Sequence, residues 1–213
     1  MDFNTYAFSK QPGFVETEMR IAFKQAVPLR TVVVYCYDPR AVNIPHAVAK
    51  AMPGEVYPGE IVQDEHGKKI ASTTTIFPVV VAGGRAVDAL RSTTVAQHLF
   101  GIENIVVVHH TYCGATSFTP EGLIKAFNAE QGVDISTLYE RGNIAIADYE
   151  SSLKSDVRLL REWRGTPKNV NIYGYLFNID TEELTLIVED HANSGRTNGD
   201  IPGEKAGTTL CQR

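Results

Sequence analysis

The pattern of apolar and polar positions along the chain predicts strands that alternate with helices. Short β-branched or aromatic runs predict strands at residues 31–36, 76–81, 105–109, 170–177 and 184–188. Apolar residues at helical spacing, with capping and stop residues, predict helices at 15–25, 86–100 and 121–130, a short helix between Asn43 and Pro53, and a longer helix between Asn143 and Gly165. This order is typical of an α/β fold, a mostly parallel central sheet with helices on both faces and an N-terminal helical arm.

Length and composition favour one domain with three peripheral segments. The chain has 213 residues, of which 43% are hydrophobic, so we expect a single domain over residues 1–213. Its peripheral segments are an N-terminal arm at 1–30, a polar and Gly-rich insertion loop at 54–75, and a polar tail at 191–213. We expect the tail either to wrap a neighbouring subunit or to be disordered.

Charge, hydropathy and cysteine content together predict the kinds of partner and the cellular compartment of the protein. The net charge is -5, with no basic stripe that would follow phosphates, so we expect no nucleic-acid partner. No apolar run approaches the roughly 20 residues of a membrane-spanning helix, and the N-terminus lacks the form of a signal peptide. Three cysteines are an odd number, and we expect reduced thiols. A cytoplasmic protein with no membrane contact is therefore predicted.

Two strand ends carry residue types that bind metals. Cys36, Asp38 and Arg40 follow the first strand, and His110 and Cys113 follow the strand at 105–109. Open α/β sheets place their ligand sites at the carboxyl ends of parallel strands, so these side chains are expected to converge. Two thiolates and an imidazole favour zinc over magnesium or calcium. Three ligands leave a fourth position open, as in a catalytic zinc site, and we predict one zinc per chain.

Asp38 has two possible roles at such a site. As a fourth ligand it would close the zinc site to solvent. If Arg40 holds it back in a two-pronged ion pair, it would instead orient the attacking hydroxide through a hydrogen bond. The sequence leaves both alternatives open, and the closed arrangement would suit a non-catalytic zinc protein or a redox sensor.

His109 differs from its neighbour His110. Successive residues of a strand point to opposite faces, so His109 is predicted to be a core histidine or one that supports the site, and not a metal ligand.

Four segments together resemble the ordered landmarks of the β-class carbonic anhydrases, a family that also contains carbonyl sulfide and carbon disulfide hydrolases. They are CYDPR at 36–40, VAGGRAVDALRS at 81–92, VVVHHTYCGA at 106–115 and IYGYLFNIDTEEL at 172–184. The resemblance implies a zinc enzyme with Cys36, His110 and Cys113 as ligands and a catalytic dyad of Asp38 and Arg40. It also implies that the Gly114 amide helps to hold a small-molecule substrate, and that the chain self-associates as a dimer or a tetramer.

This chain departs from the family pattern in one strand. The family usually has Arg-Asn before Ala-Gly-Gly, whereas this chain has Val80-Val81. The ligand types are retained, so the first hypothesis is a zinc-hydroxide enzyme that hydrates carbon dioxide reversibly to bicarbonate. The alternative is a carbonyl sulfide hydrolase that releases hydrogen sulfide and carbon dioxide at the same site.

Overall fold

A computed structural model describes residues 2–192 and defines the architecture. Its strands are β1 (Thr31–Cys36), β2 (Ile61–Gln63), β3 (Lys69–Ser72), β4 (Ile76–Val81), β5 (Asn104–His110), β6 (Asn171–Phe177) and β7 (Leu184–Asp190). Its α-helices are α1 (Glu16–Ala26), α2 (Ile44–Ala51), α3 (Leu90–Phe100), α4 (Pro120–Gln131), α5 (Arg141–Ile144) and α6 (Tyr149–Glu162). No helix within residues 2–192 is long and apolar enough to cross a membrane.

The central sheet has five strands in the order β4-β1-β5-β6-β7. β4, β1, β5 and β6 run parallel, and β7 pairs with β6 in the antiparallel direction as the predicted closing hairpin. The parallel register places Tyr35 of β1 opposite Val108 of β5, so both strands end at the same edge. The predicted α/β fold with a mostly parallel sheet is confirmed.

β1 lies in the middle of two hydrophobic cores because its side chains alternate between the two faces of the sheet. Val32 and Val34 pack into the core beneath α3 and α6, whereas Val33 and Tyr35 pack into the core beneath α2. All six residues of β1 are buried, as expected for a parallel strand covered on both faces. Helices on both faces therefore hold the strand ends in place.

The helix predicted to follow Asn143 begins later than expected. α6 starts at Tyr149, where Asp148 accepts a 2.7 Å hydrogen bond from the Ser151 amide as an N-cap. Upstream, the Ile146 amide donates to the Ala115 carbonyl at 2.9 Å, and the Ile146 side chain packs with the two buried cysteines. The predicted start was wrong because Ile146 packs with Cys36 and Cys113 and does not belong to the apolar face of α6.

The insertion at 54–75 is partly ordered into a hairpin, in contrast to the predicted loop. β2 and β3 pair in the antiparallel direction and their residues are largely exposed. Glu55 anchors the start of the segment, because it accepts hydrogen bonds from Arg30 at 3.0 Å and Thr31 at 2.9 Å. The N-terminal arm contains two short 3-10 turns before α1, and the predicted tail lies outside the described residues apart from His191 and Ala192.

Candidate metal centre

The structure brings together the three predicted ligands, which come from two parallel strands and the turn after one of them. Cys36 is the last residue of β1, His110 is the last residue of β5, and Cys113 follows in the next turn. Their ligand atoms all lie within 4.8 Å of one another, and all three residues are buried. The three ligands come together because β1 and β5 are parallel and end at the same edge of the sheet. The sequence predicts this convergence but does not give the distances between the ligand atoms.

The donor geometry fits a tetrahedral zinc ion. The Cys113 and Cys36 Sγ atoms are 3.9 Å apart. Zinc–sulfur bonds of about 2.3 Å at the tetrahedral angle require about 3.8 Å between the two sulfurs. His110 Nδ1 lies 2.9 Å from the Thr111 carbonyl oxygen, so it donates there and fixes the ring. His110 Nε2 is buried and has no hydrogen-bond partner among residues 2–192, which leaves its lone pair free for a metal.

The pKa shifts of the two cysteines favour one thiolate and one neutral thiol. The hydrogen bond from Cys113 lowers the pKa of Cys36 against the opposing effect of burial, with further help from His110 and from the amides of Asp38 and Gly83. The same hydrogen bond, together with burial, raises the pKa of Cys113. Burial alone would lower the pKa of His110, but the neighbouring Cys36 thiolate and the Thr111 carbonyl raise it overall. One thiolate therefore already lies among the three predicted ligands before any cation enters.

Asp38 stands beside the three ligands, held by a two-pronged pair with Arg40. Arg40 Nε donates to Oδ1 at 3.0 Å and Nη2 donates to Oδ2 at 2.7 Å. These side-chain hydrogen bonds, with one from the Arg40 amide, hold the pKa of Asp38 well below its usual range. Asp38 Oδ2 lies 4.0 Å from His110 Nε2. This is the geometry of the alternative in which Arg40 holds Asp38 back from the metal position.

Backbone groups that the sequence did not single out complete the site. Tyr112 adopts a left-handed conformation with φ of 55°, and its carbonyl accepts a hydrogen bond from Arg40 Nη2 at 3.0 Å. The Asp38 amide donates to Cys36 Sγ at 3.4 Å, and the Gly83 amide in the turn after β4 helps to lower the pKa of Cys36. These contacts depend on the direction of the backbone N–H and C=O groups, which cannot be predicted from the residue types. His109 faces away from the site as predicted, with Nε2 3.2 Å from Asp156 Oδ2.

A cavity of about 1040 Å³ reaches Cys36 and Cys113, two of the three predicted ligands. Gly114 and Asp38 also line this cavity. An apolar part of its wall comes from α4 and the segments that flank it, with Phe118, Leu123, Phe127, Ile135 and Leu138. Val80 and Val81 are not among its lining residues, so the departure from the family pattern does not change the cavity wall directly.

Comparison with known proteins identifies two kinds of relative. The chain is 29% identical to β-carbonic anhydrase 1 of Mycobacterium bovis, and the match covers 47% of this chain and 59% of that protein. It is 31% identical to a carbon disulfide hydrolase of Acidianus sp., with 48% of this chain and 61% of that protein covered. The chain thus spans about three fifths of the length of the curated relatives it matches. No protein-family model matches it.

Solved structures agree with the sequence comparison. A carbonic anhydrase from Streptococcus mutans superposes with a TM-score of 0.56 at 25% identity, covering 75% of this chain and 82% of that one. A carbon disulfide hydrolase superposes with a TM-score of 0.55 at 20% identity, covering 92% and 94%, which bears on the fold alone. The resemblance predicted from four sequence segments is therefore confirmed: the chain is a relative, in sequence and in fold, of β-carbonic anhydrases and carbon disulfide hydrolases.

Proposed function

We propose that this protein catalyses the reversible hydration of carbon dioxide to bicarbonate, with one zinc ion held by Cys36, His110 and Cys113. The observation that carries the proposal is the free, buried His110 Nε2 beside two sulfurs 3.9 Å apart, with a restrained carboxylate next to it. A zinc ion with these ligands would supply the Lewis-acid chemistry that makes water nucleophilic, and its two thiolates would place that ionisation at a higher pH than in a three-histidine site.

Asp38, Arg40 and Gly114 have separate roles in this proposal. Asp38 is ionised at neutral pH and presents Oδ2 as a hydrogen-bond acceptor, so it orients the attacking water. Arg40 prevents Asp38 from turning onto the ligand cluster, since both carboxylate oxygens accept its hydrogen bonds. The amide of Gly114, at the cavity surface, donates to a substrate oxygen. The apolar wall receives a linear, uncharged substrate and limits competing water.

A second candidate function is the hydrolysis of carbonyl sulfide. The observation that favours it is the apolar part of the cavity wall along α4, where Leu123 and Phe127 offer bicarbonate no charged group and suit a sulfur-containing substrate better. Carbon dioxide and carbonyl sulfide are both linear and electrophilic at carbon, so the same side chains serve either reaction.

The proposal also includes self-association as a dimer or tetramer in the cytoplasm. Its support is the arm before β1, where Phe3, Tyr6, Phe8 and Ile21 are more than half exposed. Free thiol ligands are suited to a reducing compartment. Light scattering of the purified full chain at several concentrations tests the association.

A side-by-side assay tests the two reactions. Purified, zinc-loaded protein is given carbon dioxide in a stopped-flow pH assay and carbonyl sulfide in an assay for released hydrogen sulfide. The Cys113→Ser variant is the matched control, because it removes one ligand atom with little change of shape. We expect carbon dioxide hydration that this variant loses. Hydrogen sulfide release with only weak hydration would reverse the order, and zinc binding with neither activity would favour a non-catalytic zinc or redox-sensing protein.

A further inference from the structure

A buried ionic network lies behind the candidate metal centre, on the other face of β5. Arg85 and Asp156 are 3% and 1% exposed, and His109 is fully buried. Arg85 Nε donates to Asp156 Oδ2 at 2.9 Å, and Arg85 Nη2 donates to Oδ1 at 3.2 Å. His109 Nε2 lies 3.2 Å from the same Oδ2. Burial of a pair of charges costs several kcal/mol before the pair's own attraction repays it, so its presence needs an explanation beyond stability.

The guanidinium of Arg85 joins the network to a segment that covers the metal centre. Arg85 Nη1 donates to the Ala145 carbonyl at 3.0 Å and to the Gly142 carbonyl at 3.2 Å. Ile146, the next residue along, packs against Cys36 and Cys113 and donates its amide to the Ala115 carbonyl. Arg85 thus fixes the backbone immediately before the apolar side chain that covers the two sulfurs.

Arg85 also ends a turn that packs against the metal centre. A Cβ atom at Gly83, in the turn at residues 82–84, would lie 3.4 Å from Ile146 Cδ1, and the Gly83 amide helps to lower the pKa of Cys36. A Cβ atom at Gly84 would lie 2.6 Å from the Val108 carbonyl oxygen, so the turn sits directly on the ends of β1 and β5. Because its side chain is held by Asp156, Arg85 anchors this turn to α6.

At the other end of the network, Asp156 contacts β5, the strand that carries the predicted metal ligand His110. His109 and His110 are consecutive in β5 and point to opposite faces. Since Asp156 faces His109 Nε2 as an acceptor, it restrains the backbone that also carries His110. The network therefore meets three segments that position metal-binding atoms: the turn at 82–84, the segment at 142–146 and the end of β5.

We propose that Arg85, Asp156 and His109 are positioning residues, which hold the Gly83 amide, Ile146 and His110 in the arrangement that binds zinc tightly. This inference rests on the proposed function, because it concerns the same site. Supporting groups around metal ligands are worth about 10- to 100-fold in metal affinity, and we expect a loss in this range when the network is removed.

The test compares two double variants of the full chain. In the network variant, Arg85→Met with Asp156→Leu removes both charges at once and leaves no unpaired buried ion. The control variant, Arg161→Met with Asp190→Leu, removes a pair that joins α6 to β7 with an Nε to Oδ2 distance of 3.0 Å and less complete burial. Zinc affinity is measured by competition with a chromophoric chelator. The absorption bands of the cobalt-substituted protein report on ligand geometry, and urea unfolding reports on stability.

The inference predicts weaker zinc binding and shifted cobalt bands in the network variant alone. Wild-type affinity and bands in that variant, or equal losses in both variants, would overturn it. If the network variant does not fold, Arg85→Lys provides the test, because lysine keeps the charge but cannot reach Asp156 and both carbonyls together. Wild-type affinity in Arg85→Lys would also overturn the inference. If the wild-type chain binds zinc but hydrates nothing, the proposed function fails while the metal-affinity result still decides the positioning role.

Discussion

Gly84 is the position at which the structure tolerates a side chain least near the metal centre, and the Gly84→Ala variant tests the packing there. Its φ is +68°, in the left-handed region that L-residues rarely adopt. An added Cβ would lie 2.6 Å from the Val108 carbonyl oxygen, 3.1 Å from Tyr35 Cα and 3.2 Å from the Cys36 amide nitrogen. All three are backbone atoms of buried strands, so they have no side-chain freedom with which to move away.

Two free-energy costs add in the Gly84→Ala variant. A non-glycine residue in the left-handed region costs about 1–2 kcal/mol. Overpacking against a rigid core costs about 1–3 kcal/mol more, which gives a total of about 2–5 kcal/mol. Gly132 provides the matched control, because its φ is +66° and a Cβ there meets nothing within 4 Å. Gly132→Ala should therefore lose only the first cost, about 1–2 kcal/mol.

Urea unfolding of both zinc-loaded variants measures the difference. We expect Gly84→Ala to lose clearly more free energy of unfolding than Gly132→Ala, and to bind zinc more weakly because the displaced turn carries the Gly83 amide away from Cys36. Equal losses of stability in the two variants would refute the reasoning, since the backbone contacts at Gly84 are the only difference that it uses.

Three further predictions concern the metal, the dyad and a helix cap. Elemental analysis should find about one zinc per chain in the wild type and a large deficit in Cys113→Ser. Arg40→Ala should keep its zinc but lose about 10- to 100-fold in turnover, with little rescue by lysine, because the two hydrogen bonds to Asp38 are lost. The Ser151 amide holds the pKa of Asp148 below its usual range, so the ionised cap stabilises the fold above about pH 4 and loses this effect as the pH falls through the folded-state pKa. Asp148→Asn should therefore lower the urea midpoint at pH 7 and differ less from the wild type at pH 3.5.

The sequence predicts the central sheet and the ligand cluster because both rest on strong local signals. The β-branched runs of β1 and β5 have no competing helical pattern, and the parallel order makes their ends coincide. The start of α6 is predicted poorly, since Ile146 continues the apolar period of the helix but is used to cover the cysteines. The insertion hairpin is missed because its short strands are mostly exposed and therefore lack a buried apolar face.

The sequence does not predict that Arg85 and Asp156 form a buried pair. They are 71 residues apart, and an arginine after a glycine turn and an aspartate in an amphipathic helix are both typical of solvent-exposed positions. Only the packing of α6 on β5 reveals that the two side chains share one buried contact.

In the proposed enzyme, the same packing connects the wall of the substrate cavity with the metal centre. Arg85 contributes both to the cavity wall and to the network behind β5, whereas Val80 and Val81 contribute to neither. The side chains that distinguish this chain from the usual family pattern thus lie on the edge strand β4, where Val81 is opposite Cys36 in register but does not line the cavity. Differences in substrate preference should therefore arise from the wall formed by α4 and the segment before α5, where Phe127 and Leu138 face the cavity.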